Sequence, residues 1–332
     1  MKKIKMILVI LMTIGLFNTS IYSQELDEVV DDIQDVILKV NKRLPILNGF
    51  RFIPSDLIDN PFITSYLKSN VGAGLALDLK AYPKDLDGEV IDTLSGDLAF
   101  ISMGWDLQIA VNDWLAFKAG YSGIARLGSN AFTLLTSGIS YAAGYTLDAK
   151  VKIWDNDKMM LSGSVDYSSS QVSLYSIYDF VKEVVDSDTI STDAQDQLLA
   201  KDNVRSTFIS LNYAYALTEW CGILANAGWG AGNIFKEKTK GNIRLGVAAA
   251  FDFDNIKTIG FPIGFLLSAR YNSFSESGER GTNVLTYGFR IGYTGHKDFD
   301  VGVETKYQSL NYENSDEKIN MLLIGLKIRY YF

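Results

Sequence analysis

The stretch that decides the fold is Ile319–Phe332, INMLLIGLKIRYYF. Counting back by twos from its end, Phe332, Tyr330, Ile328, Leu326, Ile324 and Leu322 share one side, while Tyr331, Arg329, Lys327, Gly325 and Leu323 share the other. Successive side chains of a strand point to opposite faces, so the stretch predicts a strand with one apolar face and one largely charged face. Working back through the chain, the same alternation recurs. Leu285, Tyr287, Phe289, Ile291 and Tyr293 oppose Thr286, Gly288, Arg290 and Gly292; Ile263, Phe265, Leu267, Ala269 and Tyr271 oppose Gly264, Ser268, Arg270 and Asn272. Twelve strands are predicted, over 71–81, 97–111, 114–127, 138–154, 159–174, 203–217, 221–234, 241–254, 262–274, 283–294, 299–312 and 319–332. These are longer than the roughly 5–6 residues usual in soluble sheets and meet the ~9–11 needed by a tilted membrane-spanning strand.

The aromatic last residue, Phe332, set on the apolar face of its strand, resembles the C-terminal strand of bacterial outer-membrane β-barrel proteins. The resemblance implies an all-β fold, a transmembrane antiparallel up-and-down β-barrel surrounded by outer-membrane lipid. It also implies that Phe332, Tyr330, Ile328 and Leu326 form an assembly signal read by the barrel-insertion machinery. The connections agree with such a barrel. Short ones at 112–113, 155–158, 218–219, 255–261 and 295–298 alternate with longer or more polar ones at 82–96, 128–137, 175–202, 235–240, 275–282 and 313–318. Barrels of this kind have short periplasmic turns and longer outer loops.

Ahead of the barrel, MKKIKMILVILMTIGLFNTSIYSQE places three lysines before an apolar run from Met6 to Phe17. This reads as a cleavable signal peptide over 1–23, the run being short for the ~20 residues of a spanning helix. Residues 24–70 are expected to form an amphipathic helix over 25–43 and a connector, and 71–332 the barrel. Two positions for the helix are open, the periplasmic mouth and the lumen as a plug. Pro45, Pro54 and Pro61 break the connector, with a short helix expected over Pro61–Lys68, and the loop 175–202 is expected to carry helices, at the rim or folded into the pore.

The 332 residues are 47% hydrophobic and 21% charged, with 28 Gly, 18 Tyr and 18 Phe against 5 Pro, a balance that favours strands. A formal charge of −8 argues against a nucleic-acid partner, and the lone Cys221 excludes an internal disulfide framework. The only histidine, His296, falls in a predicted short turn, so a barrel-wall hydrolase has no base to work with. No His or Cys cluster has metal-ligand spacing, GWGAG at 228–232 reads as small residues within a strand, and neither enzyme activity nor a cofactor is expected.

The inward face carries the chemistry. The last five strands place Arg244, Arg270, Arg290, Lys306, Lys327 and Arg329 inside, and the earlier strands Asp78, Asp106, Asp148 and Asp166. Rows of bases select anions in pores, so these ten are expected to line a channel passing small polar, anionic solutes. Arg290 and Glu304, nearly symmetric about the turn at 295–298, are expected to pair. Two other functions stand beside the channel: a structural or surface-exposed protein with a blocked lumen and interacting loops, and a hydrophobic-ligand transporter with an N-terminal plug. For the last, the inward apolar residues Phe208, Leu224, Leu266 and Leu323 are few.

Overall fold

The structure, a computed structural model, describes residues 44–81, 94–128, 139–175, 199–234, 237–256, 260–274, 282–312 and 318–332. The signal peptide and the helix over 25–43 lie outside the described residues, as does 176–198 of the helical loop expected over 175–202, while Tyr175 and 199–202 are strand. A two-stranded hairpin, β1 (Ile46–Leu47) and β2 (Phe50–Arg51), comes first. Twelve barrel strands follow: β3 (Tyr66–Ala81), β4 (Leu94–Ala110), β5 (Leu115–Gly128), β6 (Ile139–Asp155), β7 (Met159–Tyr175), β8 (Leu199–Ala216), β9 (Cys221–Ile234), β10 (Glu237–Asp252), β11 (Ile263–Phe274), β12 (Thr282–Tyr293), β13 (Phe299–Tyr312) and β14 (Lys318–Tyr331). Each pairs antiparallel with its neighbours in sequence, and β14 pairs with β3 to close the barrel.

The alternation sorts the wall as predicted. Ile324, Leu326 and Ile328 of β14 face outward and are exposed, as are Leu267 and Tyr271 of β11 and Tyr287, Phe289 and Ile291 of β12. Trp114, Trp154, Trp220 and Phe261 stand exposed at or beside the short turns, where aromatic girdles of membrane barrels meet the interface. Tyr330 and Phe332 stack at 6.4 Å between ring centroids. Asn112 and Asn156 shape two of the short turns, each side chain accepting two backbone N–H bonds at 2.8–2.9 Å. Among the described residues no helix is long and apolar enough to cross a membrane.

Three expectations are corrected. The barrel begins at Tyr66 rather than Val71; Tyr66, Lys68 and Asn70 keep the inward parity of Gly72 and Gly74, but Ser69 interrupts the apolar outward row between Leu67 and Val71. No helix forms over Pro61–Lys68. The segment runs extended into β3, its carbonyls at Phe62 and Thr64 taken by the Gln108 amide at 3.2 and 2.8 Å and its Ser65 Oγ by the Ala110 N–H at 3.1 Å. The connection at 235–240 shrinks to two residues, since β9 and β10 pair as far as Ile234 and Glu237.

Candidate functional site

Residues 44–65 fill the short-turn half of the barrel. The segment starts with a hairpin whose turn, Asn48-Gly49, has positive φ at both residues (48° and 78°), the type I′ geometry that this dipeptide favours. The hairpin is fastened to the rim. The Asn255 amide donates to the carbonyls of Gly49 (3.3 Å) and Glu219 (2.9 Å), and the Arg51 guanidinium donates to the carbonyls of Thr294 (3.2 Å), His296 and Phe299 (3.2 Å).

Beyond the hairpin, Phe50, Phe52, Ile53, Leu57, Ile58 and Phe62 build a dry core against inward Ala214, Ala216, Leu224, Ala248, Ala250 and Leu266. Burying each large side chain contributes about 1.5–3 kcal/mol. The wall makes room by omission. A Cβ on Gly222 would meet Phe50 Cε1 at 2.5 Å, one on Gly246 would meet Ile58 Cδ1 at 2.5 Å, and one on Gly288 would meet Leu57 Cδ1 at 2.8 Å; Gly264 lies against Ile53 in the same way. Four consecutive strands, β9 to β12, thus each present a glycine to an apolar side chain of the segment.

At its apex the segment carries two carboxylates, each held by cations of the wall. Asp56 lies between Lys68 of β3 (3.1 Å), Lys306 of β13 (3.5 Å) and Lys327 of β14. Asp59 sits more loosely between Lys118 of β5 (3.9 Å) and Arg244 of β10 (3.8 Å), which come from nearly opposite walls. Burial by itself would raise the Asp59 carboxyl; Lys118, Arg244, Lys150 and Arg270 hold it at about 2. Asp56 is likewise kept well below the usual carboxylate range, because Lys68, Lys327 and Lys306 outweigh its burial. Backbone carbonyls take up further cations. Arg290 donates to Pro54 O (2.6 Å), Arg270 to Leu57 O (3.2 Å) and Lys150 to Asn60 O (2.6 Å).

Of the ten charges expected along a pore, Arg244, Arg270, Arg290, Lys306 and Lys327 touch residues 54–59 of the segment, and Arg329 lies over the Tyr66 ring at 4.3 Å. Asp106 pairs with Lys68, Asp148 with Lys118 (3.1 Å) and Asp166 with Arg244 (3.1 Å). Asp78 lies in β3 beyond the residues whose side chains are described. Arg290 and Glu304 do stand opposite in register, but they do not pair. Arg290 binds Asp300 and Glu304 binds Lys327, because the guanidinium also has to reach Pro54 O. Among the apolar inward residues, Leu224 and Leu266 are covered by the segment, and Phe208 lies under the Arg244 guanidinium at 4.0 Å. His296 is exposed in the turn before β13, its Nδ1 accepting the Asp298 N–H, and the described residues hold no group of His, Cys, Asp and Glu able to bind a metal.

Sequence reasoning missed Asp56, Asp59 and Arg51. The Asn48-Gly49 pair between Ile46-Leu47 and Phe50-Arg51 was the available signal, since this dipeptide between apolar residues marks a hairpin. The inward glycines of β9 to β12 were a second.

No family model matches the chain, and no curated protein matches its sequence. Solved structures match in fold. An outer membrane channel from Pseudomonas putida F1 aligns with 85% of this chain and all of its own, at 10% identity and a TM-score of 0.54. The β-domain of the Bordetella autotransporter BrkA covers 81% at 10% identity and a TM-score of 0.46, and the KdgM porin 80% at 8% identity and 0.39. With its closed ring of twelve strands, the chain has the fold of a porin-like outer-membrane β-barrel.

Proposed function

We propose that the protein is an integral outer-membrane channel for small polar solutes, with a preference for anions, and that residues 44–65 are its plug. In this reading a signal peptide directs export, the insertion machinery reads the strand ending in Phe332, and the short turns face the periplasm. The observation that carries it is the seating of Asp56 and Asp59 on luminal cations. With the segment withdrawn, Lys68, Lys118, Arg244, Arg270, Lys306 and Lys327 face an aqueous passage, and basic linings favour anions. The barrel fold shared with an outer membrane channel supports the reading. Apolar solutes fit less well, because the groups gathered around the segment's tip are the ammonium and guanidinium groups of Lys68, Lys118, Arg244, Lys306 and Lys327.

A blocked, structural barrel is the second reading, favoured by the dry core that seals the short-turn half. Single-channel recording separates the two. The intact chain passes little current in a planar bilayer, and a variant lacking residues 46–63 passes steady current raised by more than about tenfold, as expected of a wide barrel emptied of its filling. In a salt gradient its reversal potential reports anion preference. A truncated barrel that folds, by heat-modifiable migration, yet stays silent overturns the channel.

A further inference from the structure

The two carboxylates of the plug also describe a ligand. Resting on the channel reading, we propose that the cation clusters around Asp56 and Asp59 form a two-point site for a small polyanion, which displaces the plug by taking the places of its carboxylates.

The plug itself demonstrates the fit. Three ammonium groups from three adjacent strands, β13, β14 and β3, converge on the single carboxylate of Asp56. Lys118 and Arg244 flank the carboxylate of Asp59, and Arg270, whose Nη1 donates only to the neutral Leu57 carbonyl, leaves its Nε without a partner in the interior. Lys118 and Arg244 also pair with Asp148 and Asp166, both at 3.1 Å, so with Lys150 on the Asn60 carbonyl the second point gathers four cations against three carboxylates, an excess of one that becomes two when Asp59 leaves. Ion pairs at 3.8 and 3.9 Å are longer than a charge-assisted hydrogen bond of about 2.7–2.9 Å, so an incoming carboxylate or phosphate can bind there more closely than Asp59 does.

The Asp59 side chain is 37% exposed and that of Asp56 19%, so luminal water already reaches both. Next to Asp56 lies a void of about 40 Å³ bordered by Asn70, Ser102, Glu304, Lys306 and Lys327, space for about three waters. The spacing sets the ligand class. The backbone from Asp56 to Asp59 spans about 10 Å at most, and each carboxylate reaches a short way beyond it, so the solute carries two or more anionic groups at a comparable separation. A monovalent anion fills one point and leaves the plug held by the other.

The test is single-channel recording on the full chain with citrate or tripolyphosphate added at the loop side, against chloride at matched ionic strength. Either polyanion is expected to raise mean current several-fold while chloride does not; a response to citrate identifies carboxylates, and a response to tripolyphosphate alone identifies phosphates. Lys306→Gln or Arg270→Gln should abolish the response, and Asp56→Asn with Asp59→Asn should leave the channel open before any addition. Truncated channels that conduct, together with intact channels indifferent to both polyanions, overturn this site and leave the channel standing. An equal response in Lys306→Gln and Arg270→Gln overturns it too.

Discussion

The two halves of the lumen are lined by the same strands yet form opposite environments. Read from the loop end to the turn end, the inward side of β8 runs Ser206, Phe208, Ser210, Asn212, Ala214 and Ala216, and that of β10 runs Arg244, Gly246, Ala248, Ala250 and Asp252. Near the turns these small apolar residues lie buried under the plug. Toward the loops the wall offers hydroxyls and glycines, with Ser122 and Arg126 exposed and Ser168 bonded to Ser206 at 2.7 Å. A period of two decides only which residues face inward; whether the inward face is dry or wet depends on residue size and polarity along each strand. The turn half holds the segment and the loop half presents mostly polar side chains, with the charges at the boundary.

Acid should erode this contrast most. Both plug carboxylates titrate below their ordinary range, Asp59 at about 2, so their docking free energy is complete above the unfolded value of ~3.9 and falls as pH drops through the folded values. Open probability is therefore expected to stay flat above about pH 5 and to climb steadily below pH ~4. A flat profile down to pH ~2.5 would show that the carboxylates do not hold the plug.

Steric replacement is milder. The three nearest atoms to a Cβ on Gly222 all belong to Phe50 and Phe52, so Gly222→Leu crowds the plug before the wall. Overpacking costs about 1–3 kcal/mol, which multiplies the undocked fraction by roughly five to 150. Faster maleimide labelling of a Ser55→Cys reporter in the Gly222→Leu background checks it. The smallest effect belongs to the wet half. Ser168→Ala removes one hydroxyl pair beside water and is expected to change barrel stability by less than about 1 kcal/mol, read from the shift in its denaturant midpoint.

These effects mirror what the sequence made legible. All twelve strands could be read, because a lipid-facing apolar side and a polar inner side impose alternation on every one. The inward charges could be read for the same reason. Their partners could not, since Lys306 and Lys327 meet an aspartate from the other end of the chain, Asp56, and contacts between distant parts of the chain leave no spacing signal. Residues 52–65 follow neither helical nor strand periodicity, because they pack on all sides rather than on one face. Only Asn48-Gly49 and the inward glycines of β9 to β12 hinted at something packed inside.

The plug is fastened twice. Its hairpin is tied to the rim through Arg51 and Asn255, and its other end continues into β3, where the Phe332 N–H donates to Ser65 O at 3.2 Å. Release of Asp56 and Asp59 therefore sets free a loop and not a chain end. Re-docking is then intramolecular, at an effective concentration in the millimolar range that short tethers impose. In the proposed channel a free anion competes against that fixed local concentration, which sets the barrel to answer to abundant solute and to ignore traces of it.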